Sequence, residues 1–412
     1  MSHRLLLAGL LAGLLTMTTV ATAQDEPAPP SEAEQFFPQH GFLLTGYGGA
    51  GYSARFAEDG DVPNDFSVVF APIMLFQVSD RFLFESEFEF ELEGGVSATE
   101  LEYAQVDLTL NNNLTLIAGK FLLPFAAFGE RLHPTWINRL PTAPAVYGAH
   151  GGVLPTDPML PVLSDIGVQL QGNFSVSRFN NLSAAVYVTQ GPTPGGDAHA
   201  EEEETHDELG EGGEQDEDGH DIGEQLVGLS FGGDATDNNT NKMVGGRLGY
   251  SVSPYFEVDV SALTGMYNSV GDRRFSAFAV HAAARYGPFT LHGEFIQTRQ
   301  DLLEAEEDHD EGEGELKGET EEEGHTDSLT RNGYWVQAAY QWGKWEPVVR
   351  WSQLFEAEVE GTTLVASGRQ LSVGVNYWIE SSLALKVAYV LNDEGGPNVA
   401  NNGVAVQLAF GF

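Results

Sequence analysis

The chain has 412 residues, no cysteine, and 61 acidic against 19 basic residues, which gives a formal net charge of −42. Nucleic acids and anionic lipid surfaces attract clustered lysine and arginine, so this charge argues against both as partners. The lack of cysteine excludes a disulfide framework, a zinc–thiolate site and a cysteine nucleophile. A single long apolar run, at the N-terminus, excludes a bundle of membrane-spanning helices.

The first 23 residues have the three parts of a secretory signal peptide. A basic start at Arg4 precedes an apolar stretch, and small residues follow up to Ala23. The apolar stretch is shorter than the roughly 20 residues that an anchor helix needs, so we expect cleavage near Ala23. Residues 24–40 are rich in proline and glutamate, and this composition predicts a periplasmic linker.

From residue 41 onward, apolar residues recur with a period of two. In residues 81–93, phenylalanines and a leucine alternate with a row of five glutamates. A strand places these two sets on opposite faces, whereas a helix would scatter the glutamates around its circumference. Residues 402–412 repeat the alternation in a milder form and end on Phe412. Strands, rather than helices, are therefore the predicted elements of the mature chain.

Alternation and turn residues together predict sixteen strands. They lie near 41–56, 66–78, 81–93, 99–110, 114–121, 164–174, 179–190, 241–253, 255–267, 274–286, 288–300, 330–343, 346–356, 366–380, 382–391 and 402–412. Every second connection is short, and all the long ones fall between, at 57–65, 122–163, 191–240, 301–329, 357–365 and 392–401. Outer-membrane barrels sort their loops in this way, with short periplasmic turns and long external loops. We therefore predict an all-β, transmembrane antiparallel β-barrel over residues 41–412.

Aromatic residues stand at the ends of several predicted strands. In a barrel, such residues form girdles where the outer-membrane lipid meets water. The predicted girdle residues are Tyr250, Tyr286, Trp342, Trp351, Tyr377 and Trp378.

Two stretches carry a family resemblance. The fifth predicted strand runs into the sequence LTLIAGKFLLPFAAFGERLHPTWINRLP (114–141), and the last strands read SVGVNYWIESSLALKVAYV before the terminal Phe412. In both, the chain resembles outer-membrane porins of the phosphate-selective porin O/P family. The resemblance implies a barrel of about sixteen strands in the bacterial outer membrane, usually a homotrimer, with the third external loop folded inward. It also implies that Phe412 is part of the signal that the barrel-assembly machinery reads.

Residues 122–163, here called loop 3, are the candidate constriction of the pore. Loop 3 is rich in proline and hydrophobic residues, which folding back into the lumen would bury. Its titratable residues are Glu130, Arg131, His133, Arg139, His150 and Asp157. Two interpretations stay open for its arginines. They set the charge selectivity of the pore, as charged rings do in channels, or they hold loop 3 against acidic wall residues such as Glu85 to Glu91.

The parity of each strand predicts which residues face the lumen. The predicted pore wall consists of Arg81, Glu85, Glu87, Glu89, Glu91, His281, Arg285, His292 and Glu294, with Asp107, Arg247, Glu257, Asp259, Arg350 and Lys386 on the same face of other strands. If residues 287–288 close a two-residue turn, His281 lies opposite Glu294. Such a pair is either a structural contact or part of a transport site.

The long connections 191–240 and 301–329 are strongly acidic, and within them residues 191–224 and 301–327 hold 28 of the 61 acidic residues. Like charges interspersed with glycine repel one another and favour a solvated chain. Imidazole and carboxylate are also ligands for zinc and similar divalent cations. The candidate metal-binding residues are His199, His206, His220, His309 and His325. Their spacing matches no regular zinc centre, so loose cation binding by a solvated surface is the alternative.

These observations favour an outer-membrane porin through which small hydrophilic solutes or ions diffuse passively. One alternative is a metal-acquisition porin whose histidine-containing loops capture zinc. A second is a phosphate- or anion-selective porin, which the scarcity of basic residues disfavours. We expect no enzymatic activity, because the strand histidines face inward, and no required cofactor.

Overall fold

The computed structural model describes residues 41–56, 64–93, 95–147, 158–195, 224–226, 228–232, 238–304, 327–359, 361–395 and 401–412. The predicted signal peptide, the linker at 24–40 and most of the two acidic connections lie outside these residues.

Sixteen strands form one closed antiparallel barrel. In chain order they are β1 (Gly41–Phe56), β2 (Asn64–Ser79), β3 (Phe82–Glu93), β4 (Val96–Thr109), β5 (Leu114–Leu122), β6 (Ser164–Ser175), β7 (Asn180–Thr189), β8 (Met243–Val252), β9 (Phe256–Met266), β10 (Arg274–Tyr286), β11 (Phe289–Asp301), β12 (Ser328–Tyr340), β13 (Trp345–Leu354), β14 (Gly368–Glu380), β15 (Leu383–Glu394) and β16 (Asn402–Gly411). The prediction of sixteen strands is confirmed, and every strand end lies within three residues of its predicted position.

The barrel closes where β16 pairs with β1, from Tyr47 opposite Gly411 to Phe56 opposite Asn402. Phe412 extends this seam, since its backbone N–H donates to the carbonyl of Gly46 at 3.0 Å and its carbonyl accepts from the N–H of Gly46 at 3.2 Å. A Cβ on Gly46 would lie 2.2 Å from a backbone carbonyl oxygen of β2, so the seam requires glycine there. Closure leaves no strand of the barrel with an unpaired edge.

Side chains alternate between an apolar outer face and a polar inner face. In β13, Val349 and Trp351 are exposed while Glu346, Arg350 and Ser352, at positions of the opposite parity, are buried. In β15, Leu385, Val387 and Tyr389 are exposed whereas Lys386 is buried. A water-soluble protein has the opposite arrangement, since it buries its apolar residues. The exposed apolar face is what a lipid environment requires.

Three short two-stranded sheets lie in the long connections. They pair Thr193–Pro194 with Leu229–Ser230, Glu224–Gln225 with Leu303–Glu304, and Ala357–Val359 with Thr362–Val365. The second sheet joins residues 224–225 of one acidic connection to residues 303–304 of the other.

Among the described residues, no helix is both long enough and apolar enough to cross a membrane.

Aromatic side chains cluster at the short-turn ends of β10 to β14. The rings of Phe289 and Tyr340 lie 4.6 Å apart between centroids, and those of Trp345 and Tyr377 lie 4.7 Å apart, each pair tilted by 53°. Tyr286, predicted for the girdle, is 84% exposed beside them. The girdle prediction is wrong for Trp378, which turns inward: its ring packs 5.1 Å from Trp136 and its indole N–H donates to Glu346 at 3.2 Å.

The outer face yields a test by charge substitution. Val373 is half-exposed near the middle of β14, and we expect Val373→Arg to destabilise the barrel in lipid by about 2–4 kcal/mol, the cost of arginine near the bilayer centre. Tyr286→Arg, at a strand end, should cost about 0–1 kcal/mol. Urea unfolding in lipid vesicles, followed by tryptophan fluorescence, measures both. Equal costs for the two variants would contradict the assignment of the outer face.

Candidate functional site

Loop 3 follows β5, and its described residues contact buried side chains of several strands. Ala126 adopts a left-handed backbone (φ 55°), and its N–H donates to Ser261 Oγ at 2.9 Å. A single π-helical turn, Phe128–Leu132, follows. Residues 123–129 are all buried. The described parts of loop 3 are 123–147 and 158–163, so the candidates His150 and Asp157 lie outside the described residues.

Glu294 on β11 accepts four hydrogen bonds, three of them from loop 3 and one from Trp335 on β12. Its Oε1 accepts from the backbone N–H groups of Ala127 at 2.5 Å and Phe128 at 2.8 Å. Its Oε2 accepts from Tyr147 Oη at 2.8 Å and from Trp335 Nε1 at 2.9 Å. Hydrogen bonds to a charged acceptor are the strong ones, and the carboxylate is itself buried. Glu294 was predicted as a pore-wall residue, and the structure places it beneath loop 3.

A hydrophobic core fills the space between loop 3 and the strands from β5 to β13. Phe125, Phe128 and Leu160 of loop 3 share it with inward-facing wall residues such as Ile296 and Trp335. Burial of this many large apolar side chains is a strong stabilising contribution, at about 25 cal/mol per Å² of apolar surface. It holds loop 3 to this side of the wall.

Arg131 lies in a network of two guanidinium groups and three carboxylates. Its Nη1 lies 2.5 Å from Glu257 Oε1 and its Nη2 lies 3.4 Å from Asp259 Oδ1. Arg247 on β8 contacts both Glu130 and Asp259. Burial by itself lowers the pKa of the Arg131 guanidinium, but the neighbouring carboxylates raise that pKa above its usual range. Arg131 therefore stays charged and paired.

Arg139 makes a second ion pair with the wall. Its Nε donates to Glu346 Oε1 on β13 at 2.8 Å. The other oxygen of Glu346 accepts from Asn376 Nδ2 at 3.1 Å, and Asn376 also donates to the carbonyl of Arg139 at 2.9 Å. The ion pairs of Arg131 and Arg139 support the interpretation that these arginines hold loop 3 against the wall. The predicted partners, Glu85 to Glu91, are wrong.

Two further basic residues of the wall bind carbonyl groups of loop 3. The ammonium of Lys386 on β15 donates to the carbonyls of Thr135 and, at 2.5 Å, Asn138. Arg350 on β13 donates to the carbonyl of Thr142 at 2.6 Å. Both side chains are almost completely buried, so their charges need these acceptors.

Burial and the charge of Glu294 raise the pKa of Tyr147, in loop 3, well above the usual tyrosine value. The phenol therefore remains a hydrogen-bond donor to Glu294 throughout the physiological pH range.

The glutamate row of β3 lies on the opposite side of the barrel from these contacts. Tyr47 Oη donates to Glu89 Oε2 at 3.1 Å. Gln105 Nε2 on β4 donates to Glu85 at 2.8 Å and to Asp107 at 2.9 Å. Strand parity predicted these carboxylates on the inner face of the wall. The arginines of loop 3 pair with carboxylates of other strands.

Of the remaining predicted wall residues, the two histidines contact other side chains and the two arginines are exposed. His281 is opposite Glu294 in the register, as predicted, but its Nδ1 pairs with Asp259 Oδ2 at 2.9 Å. The ring of His292 lies 6.1 Å from that of His281. Arg285 is exposed at the end of β10. Arg81 belongs to the β2–β3 turn rather than to a strand, and it is exposed.

The predicted metal-binding histidines of the acidic connections all lie outside the described residues. Within the described residues, Glu257, Asp259 and His281 bring possible ligand atoms within 4.8 Å of one another. The guanidinium of Arg131 contacts both carboxylates of this group, so a fixed positive charge already occupies the position of a cation.

An opening remains between loop 3 and the wall formed by β16, β1, β2 and β3. Loop 3 contributes His133 and Asn138 to its lining, and the wall contributes Glu89, Glu91 and Gln407. Gly49 and Gly51, which have no side chains, line the wall between them.

Sequence reasoning missed several residues that bind loop 3, chiefly Glu346, Ser261, Trp335 and Asn376. Each lies at an inward-facing position of its strand. The parity that selected Arg350 also selects Glu346 on β13, so this residue could have been found. Its partner in loop 3 could not, because 207 positions separate Glu346 from Arg139 in the chain.

Comparison with solved structures finds outer-membrane barrels at low sequence identity. An anion-selective porin from Comamonas acidovorans is 12% identical with a TM-score of 0.52, covering 91% of this chain and 100% of that one. The outer-membrane channel DcaP of Acinetobacter baumannii is 10% identical with a TM-score of 0.52, covering 91% and 98%. The trimer form of OmpT, an outer-membrane protein of Vibrio cholerae, is 11% identical with a TM-score of 0.50, covering 91% and 100%. These likenesses show the shared fold.

A search of curated protein sequences found no match. The profile of one protein family, by contrast, matches residues 77–412, which includes β3 to β16 and all of loop 3. The chain therefore belongs to the family of phosphate-selective porins O and P.

Proposed function

We propose that this protein is an outer-membrane porin for the passive diffusion of small hydrophilic solutes, and that loop 3 lies in its lumen and narrows the channel. The observation that carries the proposal is the closed barrel of sixteen strands, apolar outside and polar inside, in a chain of a porin family. Such a barrel is wide enough to enclose an aqueous channel. A diffusion channel needs no cofactor, and we expect no enzymatic activity.

The distribution of the contacts of loop 3 around the barrel wall supports the proposal that loop 3 narrows the channel. Loop 3 hydrogen-bonds to inward-facing residues of β9, β11, β13, β14 and β15. Its other side faces β1 to β3 across the opening that remains. A segment with partners on so many strands of a closed barrel crosses the enclosed space.

Planar-bilayer recording tests the channel itself. The purified, lipid-reconstituted protein should produce discrete steps of ohmic conductance in KCl solution, because water and ions fill the opening. Heat-denatured protein at the same concentration is the control. A folded barrel that inserts into the bilayer without conducting would contradict the proposed function.

Glu294 provides the test of the narrowing. Replacement by alanine leaves two backbone N–H groups, a phenol and an indole without their acceptor, at about 1–3 kcal/mol per buried unpaired group. We therefore expect Glu294→Ala to release loop 3 and raise the mean single-channel conductance, with Glu294→Gln, which keeps one acceptor oxygen, in between.

Glu358→Ala, at an exposed position of the hairpin formed by Ala357–Val359 and Thr362–Val365, is the matched control and should conduct like the unmodified protein. Folding of each variant is checked on a gel, where a folded barrel migrates faster before heating than after it. Folded Glu294→Ala channels with unchanged conductance would refute the role of loop 3.

Assembly as a homotrimer is the third part of the proposal. The trimer form of the similarly folded Vibrio cholerae protein supports it. The exposed apolar residues of the barrel contact lipid or a neighbouring subunit. Phe412, at the seam between β16 and β1, is the proposed signal that the barrel-assembly machinery reads. Light scattering in mild detergent should give the mass of three chains. A single-chain mass, with conduction intact, would show that the channel works as a monomer.

A further inference from the structure

The two sides of loop 3 differ in how closely they pack against the barrel wall. The hydrophobic core attaches loop 3 to the wall from β5 to β13 with buried apolar side chains. Because water and polar solutes avoid such a core, the opening between loop 3 and the wall of β16, β1, β2 and β3 is the favoured route for a solute.

The wall of this opening is acidic on its β3 side. Glu89 and Glu91 both line it, two residues apart on β3, so their side chains share the inner face. Among the described residues that line the opening, there is no lysine and no arginine. Gly49 and Gly51 stand between these carboxylates and β16.

The basic residues near loop 3 are engaged by carboxylate or carbonyl oxygens. Arg131 and Arg139 are paired with wall carboxylates on the far side of loop 3. Lys386 lies beside Gln407 in the strand register, but it is only 1% exposed and its ammonium donates to two carbonyl groups of loop 3. These positive charges hold loop 3 in place and are not presented to a passing solute.

A second feature, independent of the carboxylates, also points to a cation. Gln407 lines the opening, is only 9% exposed, and its side-chain Oε1 has no hydrogen-bond partner. A buried acceptor oxygen without a donor is costly, and a cation or a water from its hydration shell would satisfy it. Carboxylate and carbonyl oxygens are the ligands that alkali and alkaline-earth cations prefer.

We propose that the opening lined by Glu89, Glu91 and Gln407 makes this channel select small cations over anions, phosphate included. The inference rests on the proposed channel function and specifies its solute class. Rings of acidic side chains favour cations in pores because the field of the carboxylates raises the local cation concentration and repels anions. A low-dielectric wall on both sides strengthens this field.

The test is the reversal potential of single channels in a KCl gradient. The unmodified protein should show a permeability ratio of K⁺ to Cl⁻ of about ten, as expected for fixed carboxylates at a narrow opening. Glu89→Gln/Glu91→Gln should lower this ratio toward one. The matched control is Glu358→Gln/Glu380→Gln, which removes the same charge at positions that do not line the opening and should leave the ratio unchanged.

Two further variants keep the test decisive if the double replacement fails to fold, since Glu89 accepts a hydrogen bond from Tyr47. Glu91→Gln alone, and Gln407→Leu, which removes the unpaired oxygen, should each lower the ratio in part.

Channels that prefer Cl⁻ or phosphate, or a ratio equally affected by the control, would overturn the cation proposal and leave the channel function standing. A folded protein that forms no channels would overturn both.

Discussion

Every other feature of this structure depends on the pairing of β16 with β1. Hydrocarbon offers no hydrogen-bond partner to a strand edge, so a sheet in a membrane is stable only when it is closed. Closure divides the side chains of each strand into an outer and an inner set, since successive residues point to opposite faces. The outer set is apolar and exposed, as Val349 and Trp351 show, and the inner set includes Glu346 and Arg350.

Closure also creates a wide interior with more polar wall than loop 3 can cover. Loop 3 is attached by two kinds of force that act together. Its apolar residues pack into the core beside Trp335, while Glu294, Glu346 and Lys386 bind its backbone and arginines. Because buried charges are stable only with partners, each of these contacts specifies a position of loop 3 and not merely its burial. The result is asymmetric, with a filled side and an acidic opening.

The strands, the sorting of long and short connections and the register of β10 with β11 followed from local patterns. A period of two is readable within a few residues, and the turn at 287–288 alone sets His281 opposite Glu294. The partners of Arg131 and Arg139 did not follow. Several inward-facing carboxylates were equally suitable by parity, and only the tertiary contacts of loop 3 select Glu257, Asp259 and Glu346 among them. Trp378 was misplaced for the same reason, since a strand-end aromatic suits either face.

By itself, the sequence determined that the chain forms a sixteen-stranded barrel and which residues share a face, because alternation and turn chemistry are local properties. Its net charge of −42 is largely a property of the two acidic connections and not of the wall. Only the tertiary structure decided which charges meet, which are buried beneath loop 3, and which remain beside the opening. Those pairings join residues more than a hundred positions apart in the chain, and they exist only once the strands and loop 3 have come together.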